Sequence, residues 1–150
     1  MNFSDNIDAL TTIRFVNGTN RSIFLTGKAG TGKTTLLRNI VNNTHKNVVI
    51  VAPTGIAALN AGGVTIHSMF QVPFGAFVPA ANLLGLQSAR FEVHTLAQIP
   101  SKVQINSAKR NVIRQMELLI IDEVSMLRAD LLDAIDTVLR HIRRKRHLAF

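Results

Sequence analysis

Residues 27–35 read GKAGTGKTT and follow directly on the apolar run Ser22-Ile23-Phe24-Leu25-Thr26. The spacing fits G-x-x-x-x-G-K-[ST], with Gly27, Gly32, Lys33 and Thr34 in the fixed places. Glycines let a backbone curl until several N–H groups face one anion. Behind the loop, Leu36, Leu37, Ile40 and Val41 recur at helical spacing, so a helix begins near Lys33 and adds its positive end. Residues 23–26 read as a short buried strand ahead of it. Strand, glycine-rich turn and helix start together predict a phosphate loop. Gly27, Ala29, Gly30, Thr31, Gly32, Lys33, Thr34 and Thr35 would surround the phosphates of a nucleotide, with Lys33 on the β- and γ-phosphates and the Thr34 hydroxyl on Mg²⁺. The plain alternative is a glycine-rich turn with a solvated lysine.

Working outward, the same rhythm repeats. Val48–Ala52 is a β-branched run stopped by Pro53, and Leu118–Ile121 is another buried strand. Leu131, Leu132, Ile135, Val138, Leu139 and Ile142 line one face of a long helix with Asp130 in its first turn. Near the start, Ile7, Leu10 and Ile13 suggest a helix that ends at a turn, Asn17-Gly18. Strands alternating with helices predict an α/β fold, a parallel sheet with helices on both faces. Residues 71–107 fit that rhythm poorly and read as an insertion packed on the core.

The strand Leu118–Ile121 runs into Asp122 and Glu123. In an open α/β sheet, ligands gather at the carboxyl ends of the strands. The pair therefore fits the Walker B pattern of nucleotide hydrolases, Asp122 holding magnesium and Glu123 orienting or deprotonating a water. An acidic strand end facing solvent is the alternative. On this reading Lys33, Asp122 and Glu123 are the catalytic candidates, and Thr34 and Asp122 the metal ligands.

Composition bounds the rest. The chain has 150 residues, 47% of them hydrophobic and 17% charged, which argues for a packed domain and against disorder. It has no cysteine, so disulfides and thiolate metal sites are excluded. No run of eighteen apolar residues occurs and the N-terminus is not built like a signal peptide, so a cytoplasmic location is expected and no membrane partner. The formal charge of +8 favours polyanionic partners. His45, His94 and His141 show no ligand spacing with one another, and no protein-built metal site is expected from them.

Two further stretches are more specific: residues 52–58 (APTGIAA) and 63–68 (GVTIHS). With GKAGTGKTT and residues 120–126 (IIDEVSM), they resemble the superfamily-one DNA helicases of the petite-integration-frequency (PIF) type, relatives of RecD. The resemblance runs from about Ile23 to Arg144. It implies a RecA-like P-loop domain that uses ATP and Mg²⁺ and moves five-prime to three-prime on single-stranded DNA. It also implies that Thr54 and Thr65 meet the DNA backbone, with His67 close to the same track. Each threonine precedes a helix start, where a hydroxyl and free N–H groups suit a phosphate, and where simple helix capping is equally natural.

Departures from that family shape the expectation. Its members read adenine with a glutamine upstream of the phosphate loop, whereas the first glutamine here is Gln71, so no adenine-reading residue is identified. The family's next strand, its arginine finger and its second motor domain lie beyond Phe150. The expectation is one RecA-like first motor domain over 1–150, incomplete after the Walker B helix. Such a piece would hydrolyse little ATP alone and bind single-stranded DNA weakly, and its protein partners are unknown. The alternatives are a P-loop ATPase that is not a helicase, or a nucleotide-binding module without turnover. The basic run at 140–147 (RHIRRKRH) is read as a helix end complementing the helix dipole, with a DNA surface as the alternative. Phe70, Phe74 and Phe77 are read as core, with the strand-separating wedge or base-stacking aromatic that the resemblance implies nearby as the alternative.

Overall fold

The computed structural model describes residues 6–79 and 92–148. The chain divides into two compact units, Met1–Val48 and Val49–Phe150. Part of the stretch read as an insertion, residues 80–91, lies outside the described residues.

The first unit is built on two helices, α1 (Ile7–Gly18) and α2 (Lys33–Asn43). Asn6 starts α1 by accepting the Ala9 N–H at 3.0 Å, and the helix ends at Asn17-Gly18 as predicted. Its buried residues are Ala9 and Val16, whereas Ile7 is 78% exposed. The helix is as expected, although Ile7, one of the residues that suggested it, lies about 200° round the helix from the buried Ala9. α2 buries Leu36 and Ile40, one turn apart on the predicted face. Thr44 donates its hydroxyl to Asn17 Oδ1 at 2.7 Å, and Lys46 Nζ donates to Thr19 O at 2.7 Å, so the end of α1 is tied to the chain leaving α2.

Residues 23–26 do not form the predicted strand. They have no regular secondary structure, and Ile23 and Phe24 are exposed. A strand exists by pairing its backbone, and among the described residues of this unit the regular elements are helices, which offer no ladder to join.

In the second unit, β1 (Val48–Ala52) pairs in parallel with β2 (Val64–Thr65), Val51 opposite Val64 and Ala52 opposite Thr65. Its other neighbour is β5 (Leu118–Ile121), giving the order β2-β1-β5. The short helix α3 (Gly55–Ala61) connects β1 to β2. Two glycines complete that crossover. Gly62 ends α3 in the left-handed region at φ 72°, and a Cβ on Gly63 would sit 2.3 Å from the Ile50 carbonyl oxygen. Then come α4 (Ile66–Phe70), a second parallel pair β3 (Ala76–Val78) and β4 (Val93–Thr95), α5 (Ile99–Lys102), α6 (Ser107–Gln115) and α7 (Ala129–Arg143). The parallel α/β class is as expected.

The core of this unit joins Val51, Ile66, Phe70, Phe77, Ile99 and Ile113 to Ile135, Val138, Leu139 and Ile142 of α7. The α7 face holds except at Leu132, which is 37% exposed. Phe70 and Phe77 are core, as read, but Phe74 is 74% exposed and is not. The basic run behaves as a helix end. Arg143 donates Nε to Ile113 O at 3.1 Å and Nη2 to Met116 O, closing the end of α6, while Arg114 Nε donates to Ile142 O at 3.3 Å and closes the end of α7. Burial pushes the Arg143 guanidinium below the ordinary arginine value. No helix among the described residues is long and apolar enough to cross a membrane.

The approach of Gly63 to β1 gives a direct test. Gly63→Ala puts a methyl group into a backbone carbonyl, which must move, at a cost of at least about 2 kcal/mol. The expected outcome is a melting temperature lower by roughly 5–10 °C in a circular-dichroism thermal scan, and an unchanged melt would contradict this packing.

Candidate functional site

The glycine loop belongs to the first unit. Gly30 and Gly32 have φ of 78° and 87°, left-handed values that glycine alone adopts without strain. Lys33 folds back across the loop, its Nζ 2.7 Å from Gly27 O and 2.8 Å from Lys28 O. Thr31 Oγ1 donates to the same Lys28 carbonyl at 2.9 Å, and a Cβ on Gly27 would touch that hydroxyl at 3.0 Å. The ladder of α2 opens with Leu36 N–H on Gly32 O, and no side chain caps the helix. The N–H groups of Lys33, Thr34 and Thr35 thus have no intrahelical acceptor and sit at the positive helix end. A curled backbone, a helix start and a lysine on one short loop make a cradle suited to a polyphosphate.

The remaining candidates belong to the second unit. Asp122 N–H donates to Val51 O at 2.9 Å, so β5 ends beside the end of β1. Asp122 Oδ1 accepts the Glu123 N–H at 3.0 Å. Glu123 is exposed and left-handed, at φ 52° and ψ 43°. A non-glycine residue held there costs about 1–2 kcal/mol, a strain concentrated at functional positions. Thr54 and Thr65 leave the ends of the two paired strands β1 and β2, so they sit on the same sheet edge as Asp122. Each caps a helix: Thr54 Oγ1 accepts the Ala57 N–H and Thr65 Oγ1 the Ser68 N–H, both at 3.2 Å. Capping uses the oxygen as acceptor and leaves the hydroxyl proton to donate.

His67 follows on α4. Its Nδ1 lies 3.0 Å from Val72 O, and because a carbonyl only accepts, Nδ1 carries the proton and Nε2 is the remaining ring nitrogen. The ring stacks on Phe74, centroids 4.3 Å apart at 29°. The sheet edge thus brings together Thr54, Thr65, Asp122 and Glu123, with His67 the second residue of the helix that Thr65 caps.

Sequence reasoning missed three features. One is the exposure of Phe74, read as core with base stacking only as the alternative. Another is the pair Arg128 and Asp130, which hold β3 through Gly75 O and Phe77 N–H. Asp130 stood out only as an acid in a first helical turn, and no local pattern tells that it reaches 53 residues back along the chain. The third is an open cleft of about 370 Å³ in the first unit, lined by Thr11, Thr12, Phe15, Arg21, Ser22 and Phe24. Among the described residues no group of three or more His, Cys, Asp or Glu side chains is placed to hold a metal.

Comparison with known proteins converges on one family. A family profile described as PIF1-like helicase matches residues 4–150. The ATP-dependent DNA helicase PIF1 of Candida albicans is 35% identical over 127 residues, 82% of this chain and 12% of that protein. The human protein of the same name is 34% identical over 130 residues, 83% of this chain and 17% of that protein. A solved structure of Bacteroides Pif1 bound to single-stranded DNA superposes with a TM-score of 0.76 at 37% identity, over 98% of this chain and 29% of that one. Bacteroides Pif1 in complex with ADP-AlF4 gives 0.75 at 38% identity, over 95% of this chain and 28% of that one. The chain thus spans under a fifth of these two curated relatives and under a third of these two solved chains. Matched along nearly its whole length in both sequence and backbone, it belongs to the PIF1-like helicase family.

Proposed function

We propose that this chain is the nucleotide-binding, first motor part of an ATP-dependent DNA helicase that moves five-prime to three-prime on single-stranded DNA. Residues 1–150 form that motor domain, and 71–107 an insertion in it. The observation that carries the reading is the phosphate cradle, two left-handed glycines and Lys33 at the start of α2, in a chain of this family. Nucleotide binding by a relative, Bacteroides Pif1 with ADP-AlF4, supports it.

In this reading the loop from Gly27 to Thr35 wraps the phosphates, and Lys33 exchanges two backbone carbonyls for phosphate oxygens. The cleft beside Phe15 and Phe24 takes the nucleobase, since flat aromatic walls with a few hydroxyl groups suit a heterocycle. Thr34 and Asp122 hold Mg²⁺, which when bound neutralises charge on the transferring phosphoryl group. Glu123 orients the attacking water. Thr54 and Thr65 donate their free hydroxyl protons to DNA phosphates, and the Phe74–His67 stack meets a base. The relative solved with single-stranded DNA supports this track.

Two measurements test the proposal. Lys33→Ala should weaken Mg²⁺-nucleotide binding by about 1.5–3 kcal/mol, roughly ten- to a hundred-fold in dissociation constant by calorimetry. Equal affinities would remove the phosphate-loop assignment. For DNA, wild type should bind a short oligothymidine in the range of ~10⁻⁴–10⁻⁶ M by fluorescence anisotropy. Thr54→Ala with Thr65→Ala should lower that affinity and leave its salt dependence unchanged, because neutral contacts release no counterions. If the threonine pair is silent while neutralising Arg143, Arg144 and Arg146 abolishes binding, the track is wrong. A P-loop ATPase with no use for DNA would show the Lys33 effect and neither effect on DNA binding.

A further inference from the structure

Residues 74–77 carry one exposed ring, Phe74, on a backbone held from both sides. On one edge β3 pairs with β4, Ala76 N–H donating to Glu92 O at 3.0 Å. A Cβ on Gly75, at φ 126°, would lie 2.3 Å from that same oxygen, so only glycine permits this approach. Among the described residues the opposite edge of this two-stranded sheet faces no strand. There Arg128 Nη2 donates to Gly75 O and Phe77 N–H donates to Asp130 Oδ2, both at 2.9 Å. Gly75 C=O and Phe77 N–H are the alternate backbone groups that a neighbouring strand would take. Two side chains do its work.

The pair is itself locked. Arg128 Nε donates to Asp130 Oδ1 at 2.9 Å and Nη2 to Oδ2. The Arg128 guanidinium, followed by the Phe77 and Leu131 N–H groups, holds the Asp130 carboxyl below the usual carboxylate range despite partial burial. A third hold acts on Phe74 directly. Its carbonyl accepts from Nε2 of the buried His94 at 2.8 Å. Lys102 Nζ is 2.8 Å from the other ring nitrogen, Nδ1, and an ammonium only donates, so Nε2 carries the hydrogen. What this scaffolding presents is an aromatic ring, 74% exposed and backed by His67.

We propose that Arg128 and Asp130 are positioning residues for DNA binding: by closing the open edge of β3 they hold the Phe74 ring, with His67 behind it, as a preformed stacking face for a base of the single strand. The proposal rests on reading Thr54, Thr65 and His67 as the DNA track. Preorganisation raises affinity by removing the ordering that binding would otherwise require.

The test is an oligothymidine anisotropy titration at low salt, with melting curves confirming that every variant is folded at the working temperature. Removing one base–aromatic stack by Phe74→Ala should weaken binding about five- to a hundred-fold. Arg128→Ala should weaken it several-fold with the salt slope unchanged, and Asp130→Asn, which keeps an acceptor for Phe77 N–H, should weaken it less. The deciding variant combines Phe74→Ala with Arg128→Ala. Because Arg128 acts through the ring, the double variant should bind no worse than Phe74→Ala alone. Additive losses, or a shallower salt slope for Arg128→Ala, would show a direct phosphate contact and overturn the positioning role. If the threonine pair lowers affinity while Phe74→Ala and Arg128→Ala are silent, the track stands and this proposal fails. If all of them are silent, the track fails and takes the proposal with it.

Discussion

The hydrogen bond from Asp122 N–H to Val51 O sets the level at which the central strands of the second unit end. Val51 is fully buried, and its partner on the opposite side is Val64. Three strands therefore finish on one edge, and whatever follows each of them leaves the sheet there: Thr54 after β1, Thr65 at the end of β2, Asp122 and Glu123 after β5. A slip of one residue would turn every side chain of a strand to the other face and carry these groups away from one another. The candidate residues scattered over seventy positions of sequence share an edge because of register. No contact among them is needed to hold them there.

Much of this was legible because the relevant signals are local. A β-branched run closed by proline, an apolar strand running into Asp122 and Glu123, and a helical stripe through Ile135, Val138 and Ile142 each declare themselves within a dozen residues. The fixed spacing of Gly27, Gly32 and Lys33 identified the loop before its left-handed glycines were seen. What stayed hidden depends on distant partners. Residues 23–26 have the composition of a strand, but composition supplies no ladder. Phe74 is as apolar as Phe70 and Phe77, and only the fold decides that two rings go in and one stays out. The reach of Asp130 to Phe77 is equally invisible to any local window.

For the two threonines, the two readings proposed from sequence turn out to be compatible. Each is a helix cap by geometry, its oxygen taken up by an N–H of the first turn. Capping fixes the side-chain rotamer, and a fixed hydroxyl with its proton unspent is better placed to meet an oxygen ligand than a freely rotating one. Structural duty here prepares a donor.

The arginines and lysines carry a different consequence. Of the residues behind the formal charge of +8, Lys33, Lys46, Lys109, Arg114 and Arg143 donate to backbone carbonyls of the protein itself. Such a bond occupies a donor but leaves the charge intact, and a charge acts through solvent at distances where a hydrogen bond does not. The cations that finish helices and brace loops thus also contribute to a long-range positive field around the protein. Bonding and field are in this way separate properties of one side chain, the first confined to a neighbouring carbonyl and the second reaching about 8 Å at physiological ionic strength.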